Sequence, residues 1–255
     1  MRAAARARQA VGWGAVAAGL LGSALARADA GDSSAAAPFG PPAADDQLYV
    51  HGLLDEFEGR FGGADAAFRW EGEAWVGTDT NRLWLKSEGF EVNGRVEDGD
   101  HELLYARPVS TYFDVQAGVR YDLDSAAGRG WAAVGVEGLA PYFFQLSATL
   151  YASDSGHCAS RLLVSYEELL TQRLILEPLA ELNLYTRPDR ARDVGAGLSD
   201  LDTGLRLRYE VSRKFAPYFG VVYERTYGPG ASPSATDTLR SITGWRFALG
   251  IRAWL

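Results

Sequence analysis

The stretch from Leu162 to Tyr185, "LLVSYEELLTQRLILEPLAELNLY", decides how this chain is read. Its composition points to a helix, because Leu, Glu, Gln and Arg are all good helix formers. Its period points elsewhere. Leu174, Leu176, Pro178, Ala180, Leu182 and Leu184 alternate with a set that includes Arg173, Glu177, Glu181, Asn183 and Tyr185, an apolar face against a polar one at a repeat of two. A helix would scatter those leucines around its circumference, and Pro178 would interrupt its hydrogen bonding. The stretch therefore reads as two strands joined by a turn around Glu168 to Gln172.

The same alternation recurs on both sides of it. Phe113, Val115, Ala117, Val119 and Tyr121 alternate with Asp114, Gln116, Gly118, Arg120 and Asp122, and a similar pattern runs through 201–211 and 243–254. Strands are expected near 53–61, 66–77, 81–88, 102–108, 112–122, 130–140, 142–152, 159–167, 173–185, 201–211, 216–225 and 243–254. The total is about twelve, and several reach the roughly 9 to 11 residues that a tilted membrane strand needs. Connections alternate in length. "TDT" (78–80), "VST" (109–111), Pro141 and "SRKF" (212–215) are tight, whereas "GFEVNGRVEDGDH" (89–101), "TRPDRARDVGAGLSD" (186–200) and "TYGPGASPSATDTLRSIT" (226–243) are long. Short periplasmic turns facing long outer loops are the asymmetry of an outer-membrane barrel.

Two other folds compete. "WAAVGVEGLAPYFFQLSATLYA" (131–152) is long and oily enough for a membrane helix, but Glu137, Pro141 and Gln145 interrupt it, and two strands meeting at Ala140-Pro141 fit better. A soluble β-sandwich also alternates. Its core would have to accept a densely charged face, or its surface an extensive oily one. A barrel closed in lipid satisfies both. The expected fold class is all-β: a transmembrane antiparallel up-and-down β-barrel over residues 48–255.

Before it, Arg2, Arg6 and Arg8 precede an apolar run that ends in the small-residue frames Ala24-Leu25-Ala26 and Ala28-Asp29-Ala30, so residues 1–30 read as a secretory signal peptide. Residues 31–47, "GDSSAAAPFGPPAADDQ", read as a disordered exported tail. Cleavage after Ala30 would change 25 basic and 33 acidic side chains to 21 and 32. That balance does not invite nucleic acid. Cys158 is the single cysteine, so no internal disulfide is available.

If the oily faces meet lipid, the lumen receives Glu56, Glu58, Arg60, Arg69, Glu71, Glu73, Arg82, Lys86, Glu88, Arg107, Asp114, Arg120, Asp122 and Arg161. Further along it receives Glu167, Arg173, Glu177, Glu181, Asp202, Arg206, Arg208, Glu210, Glu224, Arg246 and Arg252. Acids and bases are mixed rather than segregated. Two readings stay open: a paired network that fills a polar interior, or a narrow conduit in a barrel sized between filled eight-stranded forms and open porins.

At this point the residues carry a resemblance. "LLDEFEGR" (53–60), "WVGTDTNRLWLKSEG" (75–89), "LLYARPVSTYFDVQAGVRYD" (103–122), "VGVEGLAPYFFQLSATLYAS" (134–153), "SRLLVSYEELLTQRLILEPLAELNLY" (160–185), "GAGLSDLDTGLRLRYEVSRKFAPYFGVVYER" (195–225) and "GIRAWL" (250–255) resemble the copper resistance protein B family. The resemblance implies a Gram-negative outer-membrane barrel that binds or transports copper ions at that membrane. Its implied partners are outer-membrane lipid and other exported copper-resistance proteins. The chain departs from the family in one respect. Family members often carry a Met- and His-rich amino-terminal segment, but here Met1 is the single Met and residues 31–47 hold no His.

The remaining soft or imidazole donors are His51 at the tail junction, His101 at the end of a long loop, and His157 beside Cys158 in another. They are the candidate metal ligands. Adjacent strand residues point apart, so His157 and Cys158 share an ion only if the loop bends. A hydrolase would need Cys158 with His157, or Ser87 with His101, and neither pair has a surrounding signature. The expectation is a non-enzymatic copper barrel, with a structural or general small-solute barrel as the alternative.

Overall fold

The computed structural model describes residues 47–62, 66–123, 128–189, 194–227 and 243–255, apart from the side chain of Glu97. The expected signal peptide, the tail up to residue 46 and parts of the longer connections lie outside the described residues. The strands are β1 (Tyr49–Phe61), β2 (Ala67–Gly77), β3 (Arg82–Val92), β4 (Arg95–Pro108), β5 (Phe113–Asp122), β6 (Arg129–Ala140) and β7 (Phe144–Ser153). They continue as β8 (Cys158–Ser165), the two-residue β9 (Glu168–Leu169), β10 (Leu174–Tyr185), β11 (Gly197–Tyr209), β12 (Phe215–Thr226) and β13 (Gly244–Trp254). All pairings are antiparallel, β10 joins both β8 and β11, and β13 returns to β1. The result is a closed barrel of twelve strands, with β9 a short addition to the edge of β10.

Local chemistry explains the irregularities. β8 and β9 share one register, with Ser165 opposite Leu179 and Leu169 opposite Ile175. Between them Pro178 accepts the Tyr166 N–H at 3.1 Å but has no N–H to return, and the strand breaks there. The turn expected at Glu168 to Gln172 accordingly sits two residues later, around 170–173. In β1 the pairing shifts between Leu54 and Glu56 on the β2 side. An extra residue of this kind sends two consecutive side chains to one face. The competing helix at 131–152 resolves into β6 and β7, joined by a 3-10 turn at Pro141–Phe143.

One loop expectation needs correcting. Residues 89–101 do not form a long loop: β3 and β4 run on and meet in a two-residue turn, Asn93 at φ 53° and Gly94 at φ 78°. Asn-Gly is the pair best suited to a hairpin turn with two positive φ angles, and here it overrides the polar composition.

The faces divide as lipid requires. Leu249, Phe247, Val119 and Leu150 are more than half exposed, whereas Glu58, Arg60 and Arg208 are buried to within 2%. The expected lumen residue Arg107 is on the other side: Leu104 and Ala106 are buried and Tyr105 is exposed, so Arg107 faces outward near the short-turn end of β4. Both faces of β4 carry apolar side chains, so alternation within that strand does not orient it. Pairing with β3 and β5 does.

The lipid assignment is testable. Leu249 lies mid-strand in β13, so Leu249→Arg is expected to cost about 2–4 kcal/mol in urea-dependent folding into lipid vesicles. Thr80→Arg, in a short turn, is expected to be close to neutral.

Candidate functional site in the barrel lumen

The alternating strands send their charged residues inward, where they meet in a layer of ion pairs. Arg60 of β1 contacts Glu58 at 2.7 Å, Asp202 at 2.6 Å and Glu56 at 3.5 Å, and also pairs with Glu224. Arg206 of β11 reaches Glu56 at 2.6 Å and Glu58 at 3.1 Å. Arg69 of β2 contacts Glu56 and Glu181, each at 2.9 Å, and Glu71 and Asp202, each at 3.4 Å. Arg161 of β8 contacts Glu88 at 2.5 Å, Asp100 at 2.7 Å and Glu181 at 3.3 Å. Arg120 bridges Asp122 at 2.7 Å and Asp100 at 2.9 Å. Planar guanidiniums with five donors suit this role, since each can serve several carboxylates at once.

Aromatic side chains brace the same wall. Trp84, Leu104, Trp131 and Tyr151 form a buried cluster inside the barrel. Trp131 Nε1 donates to Asp122 at 2.7 Å and the Tyr151 hydroxyl donates to Glu102 at 2.6 Å. The Arg120 guanidinium lies 4.9 Å from the Tyr151 ring centre and the Lys86 ammonium 5.2 Å from that of Trp84.

On the short-turn side of the ion-pair layer is a cavity of about 530 Å³ that reaches Thr111 and Tyr112. Its wall presents Asp55, Glu71, Glu73, Glu88, Asp100, Glu102 and Glu137 against Lys86, Arg161 and Arg252. Glu88, Asp100 and Arg161 belong to both zones, so the ion-pair layer forms the inner wall of the cavity. Lys86 pairs with Glu137 and lies 3.8 Å from Glu73, and Arg252 pairs with Asp55.

Other polar residues flank it. Arg82 and Asp114 pair at 2.7 Å, and Arg208 contacts Glu177 at 2.7 Å and Glu167 at 2.8 Å. Glu210 follows β11, half-buried, its N–H donating to the Arg173 carbonyl at 2.8 Å. Sequence reasoning did not find Asp55, Asp100, Glu102 or Glu137. Asp55 is displaced by the irregularity in β1, and Asp100 and Glu102 lie on the β4 face that was assigned the wrong way round.

The structure does not bring the imidazole and thiol candidates together. His51 sits at the short-turn mouth, its ring centre 5.9 Å from that of Trp75 and 6.2 Å from that of Trp254. His101 is inside β4, not at a loop end, on the face opposite Asp100 and Glu102. Its register partner Ser87 accepts a hydrogen bond from Trp70 Nε1 at 3.3 Å. His157 lies in the turn at the opposite end of the barrel, beside exposed Cys158. Among the described residues no three His, Cys, Asp or Glu side chains are arranged to hold a metal ion.

Fold and lumen together define an outer-membrane-type β-barrel with a charged, largely filled interior. The family described as copper resistance protein B precursor (CopB) matches residues 48–255, and the chain belongs to it. Copper resistance protein B of Escherichia coli is 46% identical over 176 residues, 69% of this chain and 60% of that protein. The chain therefore matches about three fifths of that relative's length. A copper resistance protein B homolog of Pseudomonas syringae pv. tomato is 38% identical over 210 residues, 82% of this chain and 71% of the homolog. Among solved structures, the NanC porin superposes with a TM-score of 0.54 at 13% identity, covering 81% of this chain and all of that one.

Arg60 is the most enclosed cation of the layer, and removing it takes one positive charge from four carboxylates at once. Arg60→Met is expected to destabilise the barrel by about 3–5 kcal/mol in denaturant titrations. Arg60→Lys is expected to recover only part of that loss, because an ammonium lacks the fork that reaches four acids.

Proposed function

We propose that the chain acts in the outer membrane of a Gram-negative cell, where it binds copper ions or moves them across that membrane. Export through a cleaved signal peptide, and work alongside other exported copper-resistance proteins, belong to the same reading. The family supports the link to copper. The observation that carries the reading from family to chemistry is the acidic cavity: seven carboxylates and three cationic groups line a space of about 530 Å³ beside the short turns. A cleft with one prevailing sign and low-dielectric walls raises the local concentration of counter-ions, here cations.

Copper is cargo in this reading, not a resident cofactor, and no covalent step is involved. Carboxylates are hard donors and rank copper only weakly above other divalent ions. His51, beside Trp75 and Trp254 at the mouth, is the one imidazole among the described residues near that end. The same weak ranking favours a second reading, a barrel that admits small cations in general.

Measuring uptake of copper and of an unrelated divalent ion in strains with and without the gene separates the two. Deletion is expected to change copper handling selectively. Equal effects on both ions favour the general barrel, and an unchanged copper response sinks the first reading. Combined Glu71→Gln, Glu73→Gln and Glu102→Gln changes are expected to reduce copper uptake while the purified barrel stays folded.

A further inference from the structure

We propose that Arg69 and Arg161 are the residues that keep the lumen closed to ions, and that the carboxylates they hold together set a cation preference once those contacts are released. The inference rests on how the ion pairs are placed around the barrel and stands apart from the copper reading.

Most charged pairs join strands one to four places apart. Two do not. Arg69 on β2 and Glu181 on β10 are separated by β1, β13, β12 and β11 on the shorter way round, yet they meet at 2.9 Å. Arg161 on β8 and Glu88 on β3 are separated by β4 to β7, yet they meet at 2.5 Å. In a barrel of twelve strands these contacts cross the lumen. Glu181 joins them, since it also receives Arg161 at 3.3 Å. The chain Arg69, Glu181, Arg161, Glu88 thus spans from β2 to β3 through the far wall.

The span is closely packed, its least buried member, Glu88, being 18% exposed at the side chain. Glu181 is 3% exposed and Asp100, the other partner of Arg161, 2%. Arg69 is held in addition by Glu56, itself 2% exposed. A ring of twelve strands is wider than the eight whose side chains alone fill a lumen, so long side chains meeting head-on are what closes it. Removing the two guanidiniums takes the cations from Glu88 and Glu181, while Glu56 keeps Arg206 and Asp100 keeps Arg120. Like charges at that range repel and draw in water, and the opened path is lined by acids.

The test is conductance of the purified full chain in planar lipid bilayers in potassium chloride. The wild type is expected to show no resolved channel steps, and Arg69→Met with Arg161→Met discrete porin-sized steps whose reversal potential in a salt gradient reports potassium over chloride. Arg107→Met removes a guanidinium from the outer face and is expected to stay silent. Heat-modifiable migration on gels reports whether each variant is folded. Should the double Met variant fail to fold, Arg69→Lys with Arg161→Lys decides, because an ammonium does not hold the four carboxylates of Arg69 or the three of Arg161 together and is expected to give partial conductance. A wild type that conducts like an open porin overturns the proposal, as do folded variants as silent as the wild type, or steps that favour chloride. Because the current is carried by potassium, none of these outcomes depends on copper.

Discussion

Pairing of β13 with β1 is the contact on which the rest of the structure depends. In lipid an unpaired strand edge leaves its N–H and C=O groups without partners, at several kcal/mol for each group. Leu53 opposite Trp254 and Phe61 opposite Phe247 mark the two ends of the seam that removes this cost. Closure also creates an inside. Once the sheet returns on itself, every second side chain is committed to one enclosed space, and the charges that fill it must find each other there.

That commitment explains why the interior is a network rather than a set of separate pairs. A buried charge is tolerable only when paired and hydrogen-bonded. With acids in excess, each guanidinium serves several carboxylates: Arg60 serves four, as does Arg69, and Arg161 serves three. The excess acid is left on the short-turn side, where the cavity keeps it near water. One layer therefore both fills part of the barrel and forms the inner wall of an acidic vestibule.

Donor chemistry sets the limit on selectivity. The donors that would distinguish copper from other cations are thioether, thiol and imidazole, and the described lumen offers carboxylates. His101 is turned away from the lumen and His157 is at the far end, which leaves His51 and its two indole neighbours at the mouth. Cation attraction and copper recognition are thus separable tasks in this fold. The interior carries the acids that the first would use.

The sequence by itself determined the class of fold, because a repeat of two in hydrophobicity is a local property that any strand displays. It placed the strands other than β4 to within a few residues, and it put Arg60, Arg69, Arg161 and Glu181 inside. It failed where alternation carried no information: at Asp55, beside an irregular residue in β1, and along β4, whose two faces are both partly apolar. It also read 89–101 as loop from polarity, although Asn93-Gly94 marks a tight hairpin. What only the tertiary structure decided is which charges meet. Arg69 and Glu181 are 112 residues apart in sequence and 2.9 Å apart in space. That distance is set by the strand order around a closed ring, which no local pattern records.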